Sequence, residues 1–154
     1  MIRVKNPGLQ TTVQDTGRIG HYEVGMPPSG AMDQYAYKVG NLLVGNKENA
    51  AGLEITEVGP EIEFTADTGI AIIGGGLPPK IKGASIPTWE AVEVKAGDVL
   101  SFDFLKQGAR VYLAVRGGID VPVVMGSRST YTLCGIGGFG TAVPCCLADR
   151  KSVV

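Results

Sequence analysis

The chain has 154 residues, a length that fits one domain able to bury about two-thirds of the surface its unfolded form exposes. Its 14 Lys and Arg against 15 Asp and Glu leave a net charge of −1, which excludes a general electrostatic pull toward nucleic acid or an anionic membrane. A single histidine, His21, together with Cys134, Cys145 and Cys146 and no CxxC pair, argues against a protein-only zinc site, a disulfide framework and a Ser-His-Asp triad.

In chain order, the opening MIRVKNPGLQTTVQD lacks the apolar stretch of a secretory signal, and no apolar run approaches the roughly 20 residues of a membrane span, so a cytoplasmic location is expected. The segment GMPPSGAM reads as an ordered loop, because Pro27 and Pro28 restrict the backbone and Ser29 is a candidate helix cap. One principal helix is predicted near residues 32-44, with Met32, Ala36, Val39 and Leu43 on one stripe and Gly45 as its stop. Asp33 suits the positive end of the helix dipole. Gly40 inside the helix costs about 1 kcal/mol relative to alanine unless something packs closely there, and close packing on a sheet is the expectation.

From residue 53 onward, short apolar stretches alternate with turn signals, which predicts a mainly β chain folded as a small barrel or sandwich. Glu54 stands among apolar strand neighbours and is expected to pair with an arginine. In EIEF, Ile62 and Phe64 face a core after the Gly59-Pro60 turn, and Val92 and Val94 do the same before the turn at Ala96 to Asp98. In DVLSFDF, Leu100, Phe102 and Phe104 share one face. GIAIIGGG and RVYLAVRGG are apolar on both faces and predict central strands; the glycines that end them predict turns or close backbone approach. Neither cluster precedes a helix, so neither is a dinucleotide or P-loop fingerprint.

The segments QDTGR (14-18), PSGAMD (28-33), NLLVGN (41-46), LE followed by GP (53-60), AVRGGID (114-120) and GSRST (126-130) resemble, in order and spacing, the allophanate hydrolase subunit 2 family. That family includes the C subunit of 5-oxoprolinase and carboxyltransferase regions of urea carboxylase. The resemblance implies a cyclophilin-like β-barrel. It implies a component of a heteromeric, ATP-dependent complex that opens 5-oxoproline to glutamate, or of a related amide-hydrolysing or carboxyl-transferring complex, inactive alone. The implied partners are a subunit 1 type protein and a lactam-utilisation subunit. ATP would be used by the complex, biotin only in urea carboxylase-like members, and no cofactor is expected on this chain. An alternative within the family is a regulatory binding protein that engages a subunit 1 type partner without catalysis. Residues 1-140 correspond to the amino-terminal part of the carboxyltransferase-type domain. The segment 141-154, TAVPCCLADRKSVV, has no strand period and is expected to be a truncation or frameshift. If later strands normally complete the barrel, exposed edges here would favour homo-oligomers.

Two groups of residues carry candidate chemistry. Asp15, Arg18, Ser29, Met32 and Asp33 flank His21. Asp15 and Arg18 are spaced to hold each other in a fork, or to leave the guanidinium for a substrate carboxylate while Asp15 or Asp33 handles a proton. In the functional reading, Asp15 and Asp33 are catalytic, and Arg18, Ser29 and Met32 bind substrate; in the structural one, a salt bridge ties the amino-terminal segment to the barrel. The second group, Arg116 with Ser127, Arg128 and Ser129, could surround a small anion or carbonyl, or form a turn capped by serine hydroxyls.

Overall fold

A computed structural model describes residues 2-139; the expected atypical tail at 141-154 lies outside the described residues. The strands are β1 (Ile2–Asn6), β2 (Gln10–Gln14), β3 (Gly52–Thr56), β4 (Glu61–Phe64), β5 (Thr68–Gly74), β6 (Pro79–Ile81), β7 (Ala84–Ser85), β8 (Ala91–Val94), β9 (Val99–Phe102) and β10 (Arg110–Val115). A 3-10 turn (Tyr22–Val24) and one α-helix, α1 (Gln34–Leu43), lie between β2 and β3. No helix among the described residues is long and apolar enough to cross a membrane.

The strands form two antiparallel five-stranded sheets, ordered β1-β4-β9-β6-β7 and β2-β3-β10-β5-β8. The chain is therefore mainly β with one principal helix, as expected. Alternation decides which side chains meet between the sheets. Ile62, Phe64 and Leu100 from one sheet join Val13, Leu53, Ile55, Ile70, Ile72, Val111 and Leu113 from the other in a single buried core.

β5 and β10 are central in their sheet, which explains why both are apolar on two faces. Their other face, Ala71, Ile73, Tyr112 and Ala114, is covered by Ala36, Tyr37 and Val44. Gly40 makes that contact close: a Cβ there would lie 2.7 Å from Ile73 Cδ1. The glycines that end β5 also approach backbone closely, with Gly75 N–H donating to Arg110 O and Gly76 N–H to Gln107 O, each at 2.7 Å.

The helix face differs from the expected stripe. Asp33 is its cap, accepting from Ala36 N–H at 3.0 Å, and the buried face is Ala36, Tyr37, Gly40 and Asn41. Met32 precedes the helix and is exposed, as is Leu43. Polar residues take the inner face because their hydrogen bonds are met there: Tyr37 OH and Asn41 Nδ2 donate to Ala50 O at 2.6 and 2.8 Å. Ser29, four residues upstream of the cap with φ 55°, does not cap the helix.

A second departure is Phe104, which is 95% exposed instead of facing the core with Leu100. The β6–β9 ladder ends at the Pro79–Phe102 pair, and Asp103 N–H turns to Pro78 O at 2.9 Å, so the strand period stops before residue 104.

Candidate functional site

β2 is a polar strand whose Thr11, Thr12, Val13 and Gln14 are all buried, and it delivers Asp15 to the interior. Its outer edge is met by Thr130 N–H, which donates to Val13 O at 2.9 Å, so the 124-130 loop lies directly against Asp15. Asp15 Oδ1 accepts from Gly17 N–H at 2.8 Å, Ser127 Oγ at 2.7 Å and Ser129 Oγ at 2.5 Å. Oδ2 accepts from Arg128 N–H at 2.6 Å. The network closes on itself, because Asp15 N–H donates to Ser129 Oγ at 3.0 Å and Ser129 N–H to Ser127 Oγ at 2.9 Å.

Burial alone would raise the Asp15 pKa. The hydrogen bonds from Ser129, Ser127, Arg128 N–H and Gly17 N–H outweigh it and hold the carboxyl below the usual carboxylate value. Asp15 is thus a fixed anion near neutral pH, with both oxygens engaged.

Arg18 is 1% exposed. Its Nε donates to Val124 O at 3.1 Å and its Nη2 to Ser129 O at 2.8 Å. The direct Asp15–Arg18 fork anticipated from their spacing is not formed among the described residues; both side chains reach separately into the 124-130 loop. The reason is the QDTGR turn. Arg18 N–H bonds Pro28 O at 2.6 Å and Ala31 N–H bonds Asp15 O at 2.9 Å, so this turn and the PSGAMD loop pair backbone to backbone. Glycine is needed at that crossing: Gly30 has φ 88°, and a Cβ on it would lie 2.9 Å from Gly17 Cα. Among the described residues, Arg18 Nη1 is buried without a hydrogen-bond partner, as are Gln14 Oε1 and Thr130 Oγ1.

The PSGAMD loop is held on its other side by Glu54 and Tyr112, facing each other on β3 and β10. Glu54 Oε2 accepts from Met32 N–H at 2.8 Å and from Tyr112 OH at 2.9 Å, while Tyr112 OH accepts from Asp33 N–H at 2.8 Å. Arg110 Nε lies 3.3 Å from Glu54 Oε1, the arginine partner expected for this glutamate. Burial, reinforced by the Glu54 carboxylate, pushes the Tyr112 pKa well above that of an ordinary tyrosine, so the phenol stays neutral and keeps its proton for Glu54.

The structure therefore joins most of the two predicted groups into one. Asp15, Arg18, Ser127 and Ser129 share a buried centre; Ser29, Met32 and Asp33 border it through the paired loop. Arg116 does not join them: its guanidinium forms an ion pair with Glu93, and its N–H bonds Gly69 O at 2.8 Å. Tyr112 escaped sequence reasoning because its hydroxyl role depends on a partner on a neighbouring strand, while its apolar ring suited the central-strand reading.

The profile of the family described as "Carboxyltransferase domain, subdomain A and B" matches residues 24–145. The chain is 45% identical over 143 residues to a urea amidolyase of Saccharomyces cerevisiae, covering 92% of this chain and 8% of that protein. It is 44% identical over 138 residues to the 5-oxoprolinase C subunit of Escherichia coli, covering 90% of this chain and 44% of that protein. Among solved structures, the urea carboxylase of Kluyveromyces lactis superposes with a TM-score of 0.90 at 42% identity, covering 99% of this chain and 13% of the other. The chain spans less than half the length of these relatives.

Proposed function

The chain belongs to the carboxyltransferase domain family, and from that premise we propose that it is a component of a heteromeric, ATP-dependent complex that hydrolyses an amide, with 5-oxoproline as the lactam opened to glutamate. The observation that carries the reading is the 44% identity, over 138 residues, with a relative named as the C subunit of a 5-oxoprolinase. The proposed partners are a subunit 1 type protein and a lactam-utilisation subunit, and ATP is handled elsewhere in the assembly.

Within this reading, Asp15 is a positioning residue: its oxygens are engaged by four donors, which leaves the carboxylate no free role in carrying a proton. Ser127 and Ser129 position with it, since both hydroxyls donate to the same Oδ1. Arg18 is the substrate-binding candidate, because Nη1 is a buried charged donor with no hydrogen-bond partner among the described residues and suits a carboxylate oxygen. Met32 and Ser29 border that centre, and Asp33, whose Oδ1 caps α1, keeps Oδ2 for a proton or a substrate hydrogen bond.

The test is glutamate release from 5-oxoproline and ATP by the chain mixed with a subunit 1 type protein and a lactam-utilisation subunit. Release that Arg18→Lys reduces at least tenfold, in protein shown to be folded and assembled at the assay temperature, is the expected result; the melting temperature itself should fall, because the lysine cannot keep both bonds to Val124 O and Ser129 O. A mixture that assembles, consumes no ATP and releases no glutamate would overturn the reading in favour of a binding protein without chemistry.

A further inference from the structure

A cleft of about 580 Å3 opens between the loop that follows α1 (46-51) and the turn that follows β10 (117-120), with Arg128 on its wall. Three of the segments that carry the family resemblance, NLLVGN, AVRGGID and GSRST, converge on it. The volume falls in the range of small-molecule sites, about 300–1,000 Å3.

The walls are set by bonds that need no ligand. Asn46 Nδ2 donates to Asn41 Oδ1 at 3.0 Å and to Val115 O at 2.8 Å, while its Oδ1 accepts from Gly117 N–H at 2.8 Å. Ile119 N–H donates to Ala51 O, and Gly118 N–H to Val115 O, both at 2.8 Å. On the third wall, Arg128 is anchored twice, through its backbone N–H to Asp15 Oδ2 at 2.6 Å and through Nε to Val121 O at 3.0 Å. Such a frame holds polar groups in place before anything binds, which lowers the ordering cost of binding.

The charge on this frame has one sign in excess. Lys47 and Arg128 line the cleft against one carboxylate, Asp120. Asp120 reaches Arg128 Nη2 only at 3.4 Å and is largely exposed, so it neutralises the guanidinium weakly. Lys47 takes part in no ion pair among the described residues; the neighbouring Glu48 pairs with Lys38. Asn49 adds an amide able to donate. Since the backbone N–H groups of Gly117, Gly118 and Ile119 are already engaged, recognition falls to these side chains.

We propose that this cleft binds a small organic oxyanion, with Lys47 as a point charge and the Arg128 guanidinium as a planar fork on its carboxylate or phosphate group. The site is distinct from the Arg18 donor, which is buried, and it does not depend on the lactam reading.

The test is binding to the full chain at low salt, by calorimetry and by amide chemical shifts, with succinate as the carboxylate probe, glycerol 2-phosphate as the phosphate probe and succinamide as the uncharged control. The expected result is that one or both anions bind, moving the amide signals of Asn49, Gly117 and Gly118, while succinamide does not. The two anion arms decide whether the natural group is a carboxylate or a phosphate. Lys47→Gln, at an exposed position, and Arg128→Gln should each weaken binding at least fivefold, and affinity should fall as salt rises. If Arg128→Gln fails to fold, Lys47→Gln decides alone. Neither anion binding, succinamide binding equally well, or affinity unchanged in Lys47→Gln would overturn the proposal.

Discussion

Replacing Asp15 by Asn removes one charge and one acceptor at the centre of the buried network while keeping the side chain's shape. Oδ1 accepts three hydrogen bonds and Oδ2 one, so the amide oxygen keeps the Oδ1 position and the NH2 group faces Arg128 N–H. Two donors then oppose each other in an interior site, which costs about 1–3 kcal/mol. The bonds that remain lose their charge assistance, which roughly halves their strength. The sum is about 3 kcal/mol of lost stability, or about 6–12 °C in Tm for a chain of this size. Urea unfolding of both proteins across pH measures it, and the pH dependence identifies the cause. Because the folded Asp15 pKa is depressed, its stabilising contribution is complete above the unfolded value of about 3.9 and is lost as pH falls through the lower folded value. The gap between wild type and Asp15→Asn should therefore be constant from pH 7 to 5 and shrink below about pH 4. A gap under about 0.5 kcal/mol, or one that persists unchanged at acid pH, would refute the assignment of a buried, ionised carboxylate.

Gly40→Ala should destabilise by about 1–3 kcal/mol despite the gain in helix propensity, because the added Cβ falls 2.7 Å from Ile73 Cδ1; a melting temperature equal to or above wild type would show that α1 shifts freely on the sheet. Tyr112→Phe leaves Asp33 N–H without its acceptor and should cost about 1–3 kcal/mol. Faster hydrogen exchange at the Met32 and Asp33 amides would locate that loss in the PSGAMD loop, and unchanged exchange would contradict it. Phe104→Ser should alter stability by less than about 0.5 kcal/mol, since the ring is 95% exposed; a larger loss measured in urea would mean that the ring packs against something in solution.

The parts of this fold that were legible in the sequence are those in which a periodic pattern meets one apolar surface. β4, β5, β8 and β10 follow that rule, as does the presence of α1, because each buries Ile, Val, Leu, Phe or Ala at the spacing its own geometry dictates. β2 does not. QTTVQ has one aliphatic residue, yet four of its five positions are buried, because their polar atoms find partners such as Pro7 O for Thr11 Oγ1 and Thr130 O for Gln14 Nε2. The Asp15 centre obeys the same logic over a longer range. Asp15 and Ser127 are 112 residues apart, and no local pattern relates them; the sequence offered two short polar clusters, and the loop that docks on the edge of β2, with Thr130 N–H donating to Val13 O, joined them. Candidate sites are more legible in identity than in geometry for this reason. The residue types at 15, 18, 127 and 129 announce ionic and hydroxyl chemistry, but whether Asp15 meets Arg18 or Ser129 depends on where β2 ends relative to a loop more than a hundred residues later. Once that register is set, a buried charge demands hydrogen-bond donors within reach, and for Asp15 the 127-129 loop supplies three of the four.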